Sequence, residues 1–262
     1  MLISINNYFY DTSDIIDSGM FATVYKGQID EVNIDKTYVA IKVITKPLKL
    51  RFNESNMLKL FDSDNIVKLF DSSETIDNYI LILELCDFNL SELIKLTNKS
   101  TQLTIKQIQN ILLQFITIIE LLKIKKIIHH DVKPANLLVK VNINQQYQIK
   151  LCDFEMAIID DDKHEKHDKI CGSPMYMHPT KLLYDKNFNS DSWSFTIIFY
   201  ELIYNRHPFK GSKTKQQLYE SIKKNIISFP FESKFTPILK KIFEKCGELY
   251  ITDFFTDIMN IT

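Results

Sequence analysis

The sequence predicts an α+β fold in two lobes, a small β-rich N-lobe followed by a larger helical C-lobe. Three observations carry that prediction. From Tyr8 to about Leu85 the chain reads as short β-branched and aromatic runs with a single helical stretch among them. Beyond Leu85 apolar residues recur at the 3.6-residue period of helices. In between, Asp131, Lys133 and Asn136 set a carboxylate, an ammonium and a carboxamide within six residues, flanked by the apolar Ile128 and Leu137-Leu138. Asp and Lys gain nothing from burial unless paired, so a polar loop tethered to the interior on both sides is where chemistry is expected.

The bulk numbers bound the function classes. At 262 residues the chain can form one large domain or two lobes sharing a cleft. Hydrophobic content of 45% and charged content of 25% are ordinary globular values and argue against disorder. A net charge of −1 selects neither nucleic acid nor a membrane surface as partner. Cys86, Cys152, Cys171 and Cys246 are scattered, lack metal-ligand spacing, and read as reduced thiols of a cytoplasmic protein. The stretch from Met1 to Asn7 lacks a signal-peptide profile, and no run is expected to reach transmembrane length. The abundance of Ile, Asn and Lys points to an AT-rich genome, and to a host-cell cytoplasm if the source is viral or parasitic.

Taken in order, Thr23–Tyr25 and Tyr38–Ile44 read as strands separated by a polar turn over Asp30 to Lys36. Asn53 to Leu60 places Met57, Leu58 and Phe61 at helical spacing with Asn53 as cap. Asn65–Phe70 and Tyr79–Leu83 read as a strand pair, and Asp87–Asn89 as the hinge. Ile105 to Ile124 carries Ile108, Ile111, Leu112, Phe115, Ile119 and Leu122 on one stripe, an amphipathic helix. A hairpin follows, Leu137 to Val141 and Tyr147 to Cys152 around a polar turn, then a charged loop from Asp160 to Asp168. Phe195, Ile198, Phe199 and Leu202 mark a buried helix from Ser190, and helices near Gln216–Lys224, Thr236–Lys245 and Thr252–Ile261 complete the chain.

Motifs in this order resemble those of the eukaryotic-type protein kinases, serine/threonine class, over nearly the whole chain. The resemblance implies one kinase domain over 1–262, with an N-lobe of about 1–85, a hinge of about 84–89, a C-lobe of about 90–262 and an ATP cleft between the lobes. Val39-Ala40-Ile41-Lys42 resembles the strand whose lysine meets the ATP phosphates, and Glu54 stands where its carboxylate partner belongs. By the same resemblance Asp131 is the catalytic aspartate, Lys133 sits on the transferring phosphate, and Asn136 and Asp153 bind Mg2+. Leu83 matches the gatekeeper; the backbone of Glu84 and Cys86 would bond adenine; Val24, Ala40 and Leu138 would sandwich it, and Gly19 belongs to the glycine-rich loop. His129 reads as a core histidine in a column with Phe154, Leu58 and Leu69. Gly172 to Pro179 resembles the platform that cradles a protein substrate, and Asp191 the aspartate bracing the catalytic loop. Cys171–Met177 is similar to the autophagy-initiating kinases.

The departures are informative. Asp17-Ser18-Gly19-Met20-Phe21-Ala22-Thr23-Val24 keeps one of three expected glycines, which predicts weakened nucleotide affinity. The short interval between Lys42 and Glu54 predicts a short helix. Glu155 replaces a glycine, at a cost of about 1 kcal/mol if that residue must take positive φ. His130 replaces the arginine that answers an activation-loop phosphate, and Glu155 to Gly172 contains no Ser, Thr or Tyr. Receptor and phosphate site are missing together. Thr180 likewise replaces a glutamate whose arginine partner is absent after Arg206, and losing both members of a buried pair is nearly neutral. A serine/threonine kinase using ATP and Mg2+ on protein hydroxyls, without activation-loop phosphorylation control, is therefore expected. The alternative is a pseudokinase, a nucleotide-binding interaction module with weak or no catalysis. Oligomeric state has no signature here.

Overall fold

A computed structural model of the chain describes residues 1–19, 22–29, 37–46, 54–97, 103–160, 172–178, 190–209, 211, 215–224, 227–245 and 251–262. The turn at 30–36, Asn53, the charged loop from 161, Pro179 and Thr180, and Cys171 and Cys246 lie outside the described residues. The chain divides into two compact units, Met1–Asp87 and Phe88–Thr262.

The first unit is built on β1 (Leu2–Ile5), β2 (Tyr8–Ser18), β3 (Ala22–Ile29), β4 (Tyr38–Thr45), the short α1 (Glu54–Leu58), β5 (Leu69–Glu74) and β6 (Asn78–Glu84). The six strands form one sheet, order β1-β2-β3-β4-β6-β5, with every neighbouring pair antiparallel. Because side chains alternate across a pleat, the register sorts the sheet into two faces. One carries the buried cluster of Tyr10, Val39, Ile41, Ile80 and Ile82, with Ile3, Ile5 and Tyr25 packed on it. Gly27 sits on that face because a Cβ there would lie 2.4 Å from Ile41 Cδ1. The opposite face takes the residues with chemistry. The sheet's edges are linked across the unit, where Asn6 in the β1–β2 turn donates to Asp71 Oδ2 on β5 at 2.9 Å.

One expectation is corrected here, and one strand is new. The strand expected over Asn65–Phe70 runs instead from Leu69 to Glu74. Ile66 and Val67 are buried at 2% exposure by packing, while the polar Asp71 to Glu74 run pairs with β6, as suits an edge strand. Strand β1 was not expected at all.

The second unit contains β7 (Phe88–Asn89), α2 (Leu90–Thr97), α3 (Ile105–Ile124), β8 (Ile127–Ile128), β9 (Leu137–Val141), β10 (Tyr147–Leu151), β11 (Ile158–Ile159), α4 (Ser190–Tyr204), α5 (Lys215–Lys223), α6 (Thr236–Glu244) and α7 (Phe255–Met259). The expected hinge at Asp87–Asn89 thus gives Phe88 and Asn89 to a strand pairing with β9. Helix α3 matches its expected span and opens with a capping box, Thr104 Oγ1 accepting from Gln107 N while Gln107 Oε1 accepts from Thr104 N. Its stripe is buried as expected. Contrary to the expectation that no run reaches transmembrane length, this 20-residue helix is long and apolar enough to cross a membrane; here it packs against α4, β10 and α7. Helix α4 is buried nearly all round, with Trp193, Phe195, Ile197, Ile198, Phe199 and Tyr200 at 1% exposure or less. The helix expected over Thr252–Ile261 is split into a 3-10 turn, Ile251–Phe254, and the short α7.

Candidate active site

In the first unit, the site begins with one ion pair. Lys42 on β4 donates from Nζ to Glu54 Oε2 on α1 at 2.7 Å, and the side chains are 9% and 0% exposed. Two opposite charges this deeply buried persist only as a pair. Val24 lies directly opposite Lys42 in the sheet, and Ala40 opposite Leu83, so Val24, Ala40, Lys42 and Leu83 share one face. Glu84 follows Leu83 at the end of β6, its N–H bound to Lys68 O, and Cys86 is half-buried two residues on. At the other end of the sheet Gly19 N donates to Ala22 O, and a Cβ at Gly19 would meet nothing closer than 3.7 Å. Asp17 Oδ1 accepts from Ser18 N there.

In the second unit the loop from His129 to Asn136 is held at both ends. Strand β8 pairs with β11, Ile128 opposite Ile158, and strand β9 opens with the fully buried Leu137. Asp191, at the start of α4, accepts from His129 N at 2.7 Å and from His130 N at 3.1 Å through separate oxygens. That bracing matches the role the resemblance implies for it. His129 is wholly buried, edge-on to Phe154 at 4.8 Å. Its Nδ1 accepts from Asp131 N, which leaves Nε2–H to donate to Cys152 O at 3.0 Å. It is a structural residue of this unit.

Asp131 is the convergence point. Its Oδ2 accepts from Lys133 Nζ at 2.7 Å and Asn136 Nδ2 at 3.1 Å, while Oδ1 accepts from Ser173 Oγ at 2.8 Å. Asn136 Nδ2 also donates to Asp131 O, which fixes the amide's orientation; its Oδ1 accepts nothing among the described residues. Cys152 N donates to Asn136 O, so Asp153 follows one residue from Asn136's backbone, and Leu138 lies two residues beyond it on β9.

Glu155 does not take the positive φ on which a strain cost there was conditional. Glu155 lies in a 3-10 turn, Phe154–Met156, and the left-handed residue is Asp153, with φ 66° and ψ 66°. Asp tolerates that region better than most side chains. His130 is also left-handed at φ 70°. A Cβ on Gly172, itself at φ 97°, would lie 2.1 Å from the His130 carbonyl oxygen, so only glycine lets the two backbones approach this closely.

The 3-10 turn Pro174–Tyr176 that follows is tied to α4 and the loop after it. Tyr176 O accepts from Ser194 Oγ at 2.7 Å, and Tyr176 OH donates to Glu201 Oε2 at 3.0 Å. Burial pushes the Glu201 carboxyl up to about 7 and raises the Tyr176 hydroxyl well above its usual value. The bond from Ser173 to Asp131 was not foreseen in the sequence, although Ser173 lies in the expected platform run, and Glu201 was not singled out at all. An acidic residue inside the otherwise apolar run Phe195 to Tyr204 was the available signal for Glu201.

The buried Lys42–Glu54 pair of the first unit and the Asp131–Lys133–Asn136 loop of the second, braced by a helix aspartate, stand where the resemblance to protein kinases places them, and comparison with known proteins identifies the family. Residues 10–256 match the protein kinase domain, and the chain belongs to that family, with its α+β fold. It is 33% identical over 66% of its length to a Zea mays protein named "Probable serine/threonine-protein kinase CCRP1". It is 31% identical over 80% of its length to the serine/threonine-protein kinase unc-51 of Caenorhabditis elegans, and 26% identical over 89% to the serine/threonine-protein kinase ATG1 of Debaryomyces hansenii. The chain spans 27%, 26% and 31% of those three relatives.

Proposed function

We propose that this chain is a serine/threonine protein kinase, transferring the γ-phosphoryl group of ATP to a protein hydroxyl, without activation-loop phosphorylation control. The observation that carries the reading is the Asp131 carboxylate. Phosphoryl transfer asks little covalent chemistry of a protein; it needs the acceptor hydroxyl oriented and the charge neutralised. Ser173 already places a hydroxyl 2.8 Å from Asp131 Oδ1, which supports that oxygen as the one to orient a substrate hydroxyl and take its proton. As the acceptor oxygen attacks the γ-phosphorus, the bond to the β-phosphate oxygen breaks, the proton passes to Asp131, and ADP leaves. Lys133, paired with Asp131 on Oδ2, would meet the moving charge.

Nucleotide recognition is assigned to Lys42, held by Glu54, to the face formed by Val24, Ala40 and Leu83, to the Glu84 and Cys86 backbone, and to Gly19 and Leu138. The donors fit a divalent cation. Asn136 Oδ1 and the Asp153 carboxylate are hard oxygen ligands, which Mg2+ prefers while keeping several waters. No cluster of three or more His, Cys, Asp or Glu able to hold a metal occurs among the described residues, so substrate phosphates and water would supply the remaining positions. When bound, Mg2+ would neutralise charge on the β- and γ-oxygens.

Independence from phosphorylation is supported by how the platform is seated. The Ser173 hydroxyl is committed to Asp131 and the Tyr176 hydroxyl to Glu201. Radiolabelled phosphate transfer to a generic basic protein, beside an Asp131→Asn control, tests the activity. Transfer well above the control is expected; a signal equal to it would instead leave a non-catalytic, nucleotide-binding module. Mass spectrometry of the active protein should find no activating phosphate on Ser173 or Tyr176.

A further inference from the structure

We propose that His207 is a positioning residue for the protein substrate, acting through the backbone of the 174–176 turn; this rests on the kinase reading above. The argument begins where α4 ends. Asn205 takes the left-handed conformation, φ 54°, with its N–H on Glu201 O, and terminates the helix as such residues do. Two residues later His207 Nε2 lies 3.0 Å from Met175 O. Its other nitrogen, Nδ1, accepts from Phe209 N at 3.2 Å, so the proton sits on Nε2 and is donated to the turn. The ring is also edge-on to Tyr176 at 5.5 Å and near Phe209 at 5.9 Å, contacts that fix its plane.

The turn is consequently held at three points. Ser194 and Glu201, seven residues apart and hence on one face of α4, take Tyr176 at its carbonyl and its hydroxyl. His207 takes the preceding carbonyl. Ser173, which begins this turn, is bonded to Asp131, so a shift of the turn is transmitted to the carboxylate and to any peptide lying on residues 173–177. Burial lowers the imidazole to about 4, so it stays neutral with Nε2–H in place across the physiological range.

His207→Phe keeps the packing and removes the donor; His207→Gln restores an amide donor near the Nε2 position. The variants are compared with the wild-type chain in steady-state transfer to a Ser/Thr acceptor peptide, and by amide exchange of Tyr176 and Met177 without substrate. For His207→Phe we expect peptide KM to rise about five-fold, as the loss of one neutral hydrogen bond allows, with ATP KM unchanged. Exchange at the two amides should quicken, and His207→Gln should recover most of both effects. An active wild-type protein whose peptide KM and exchange are unmoved in His207→Phe, or a Gln variant as impaired as Phe, overturns the inference alone. A wild-type chain no better than Asp131→Asn sinks the kinase reading and the positioning role with it.

Discussion

At the scale of single residues, the energetics are dominated by groups that are safe only in company. Lys42 and Glu54 form a buried pair at 2.7 Å, and removing one partner strands the other charge. Glu54→Leu or Lys42→Met should each lower stability by about 3–5 kcal/mol, whereas the double replacement should recover most of it. Chemical denaturation of the three variants measures this, and two equal, additive losses would contradict the pairing argument. Gly172 makes a second case. Gly172 and Gly211 both have positive φ, 97° and 117°, but a Cβ would collide only at Gly172. Gly211→Ala should cost about 1 kcal/mol from backbone strain, and Gly172→Ala well over that, with activity lost as His130 is pushed away. Side chains that make up the family's motifs were legible as letters: Lys42, Glu54, Asp131, Lys133, Asn136 and Asp191. What letters cannot show is where the strain sits. The left-handed residue proved to be Asp153 and not Glu155, because φ is set by how the 3-10 turn after it is seated.

At the scale of elements, legibility followed hydrophobic period and length. Helix α3 was readable to the residue because its stripe runs unbroken over 20 residues between Thr104 and Lys125. Strand β5 was misplaced because an edge strand needs only one partner and tolerates Asp71, Ser72 and Ser73, while Ile66 and Val67 are buried without a ladder. Polar side chains finish what the ladders leave open. Strand β10 is the edge of the β10-β9-β7 sheet, and Gln114 of α3 runs along it, accepting from Ile149 N at 2.7 Å and donating to Tyr147 O at 2.8 Å. Gln114→Leu should therefore cost about 2 kcal/mol and speed amide exchange at Ile149, where the cap variant Thr104→Ala should cost about 1 kcal/mol and leave Ile149 protected. Equal losses with unchanged exchange would show that the Gln114 amide adds nothing to the sheet edge.

At the scale of the whole molecule, three buried titratable groups around the 172–178 segment set how stability should vary with pH. His178 and His207 are both lowered by burial from 6.5 to about 4. Between those values the unfolded chain binds protons the folded chain refuses, so their contribution is complete above about 6.5 and lost as pH falls toward 4. Glu201 acts in the opposite sense. Burial raises it from 4.5 to about 7, and the Tyr176 hydroxyl only partly offsets this, so its contribution is complete below 4.5 and lost as pH rises through 7. Two histidines with shifts of similar size outweigh one glutamate, so stability should climb from pH 4 to about 6.5 and then slip slightly toward pH 7.5. Glu201→Gln keeps an oxygen for the Tyr176 hydroxyl and removes the ionisation. It should match the wild type in thermal unfolding at pH 4.5 and exceed it at pH 8, whereas a Gln variant destabilised equally at both would show that Glu201 acts through packing and not through charge.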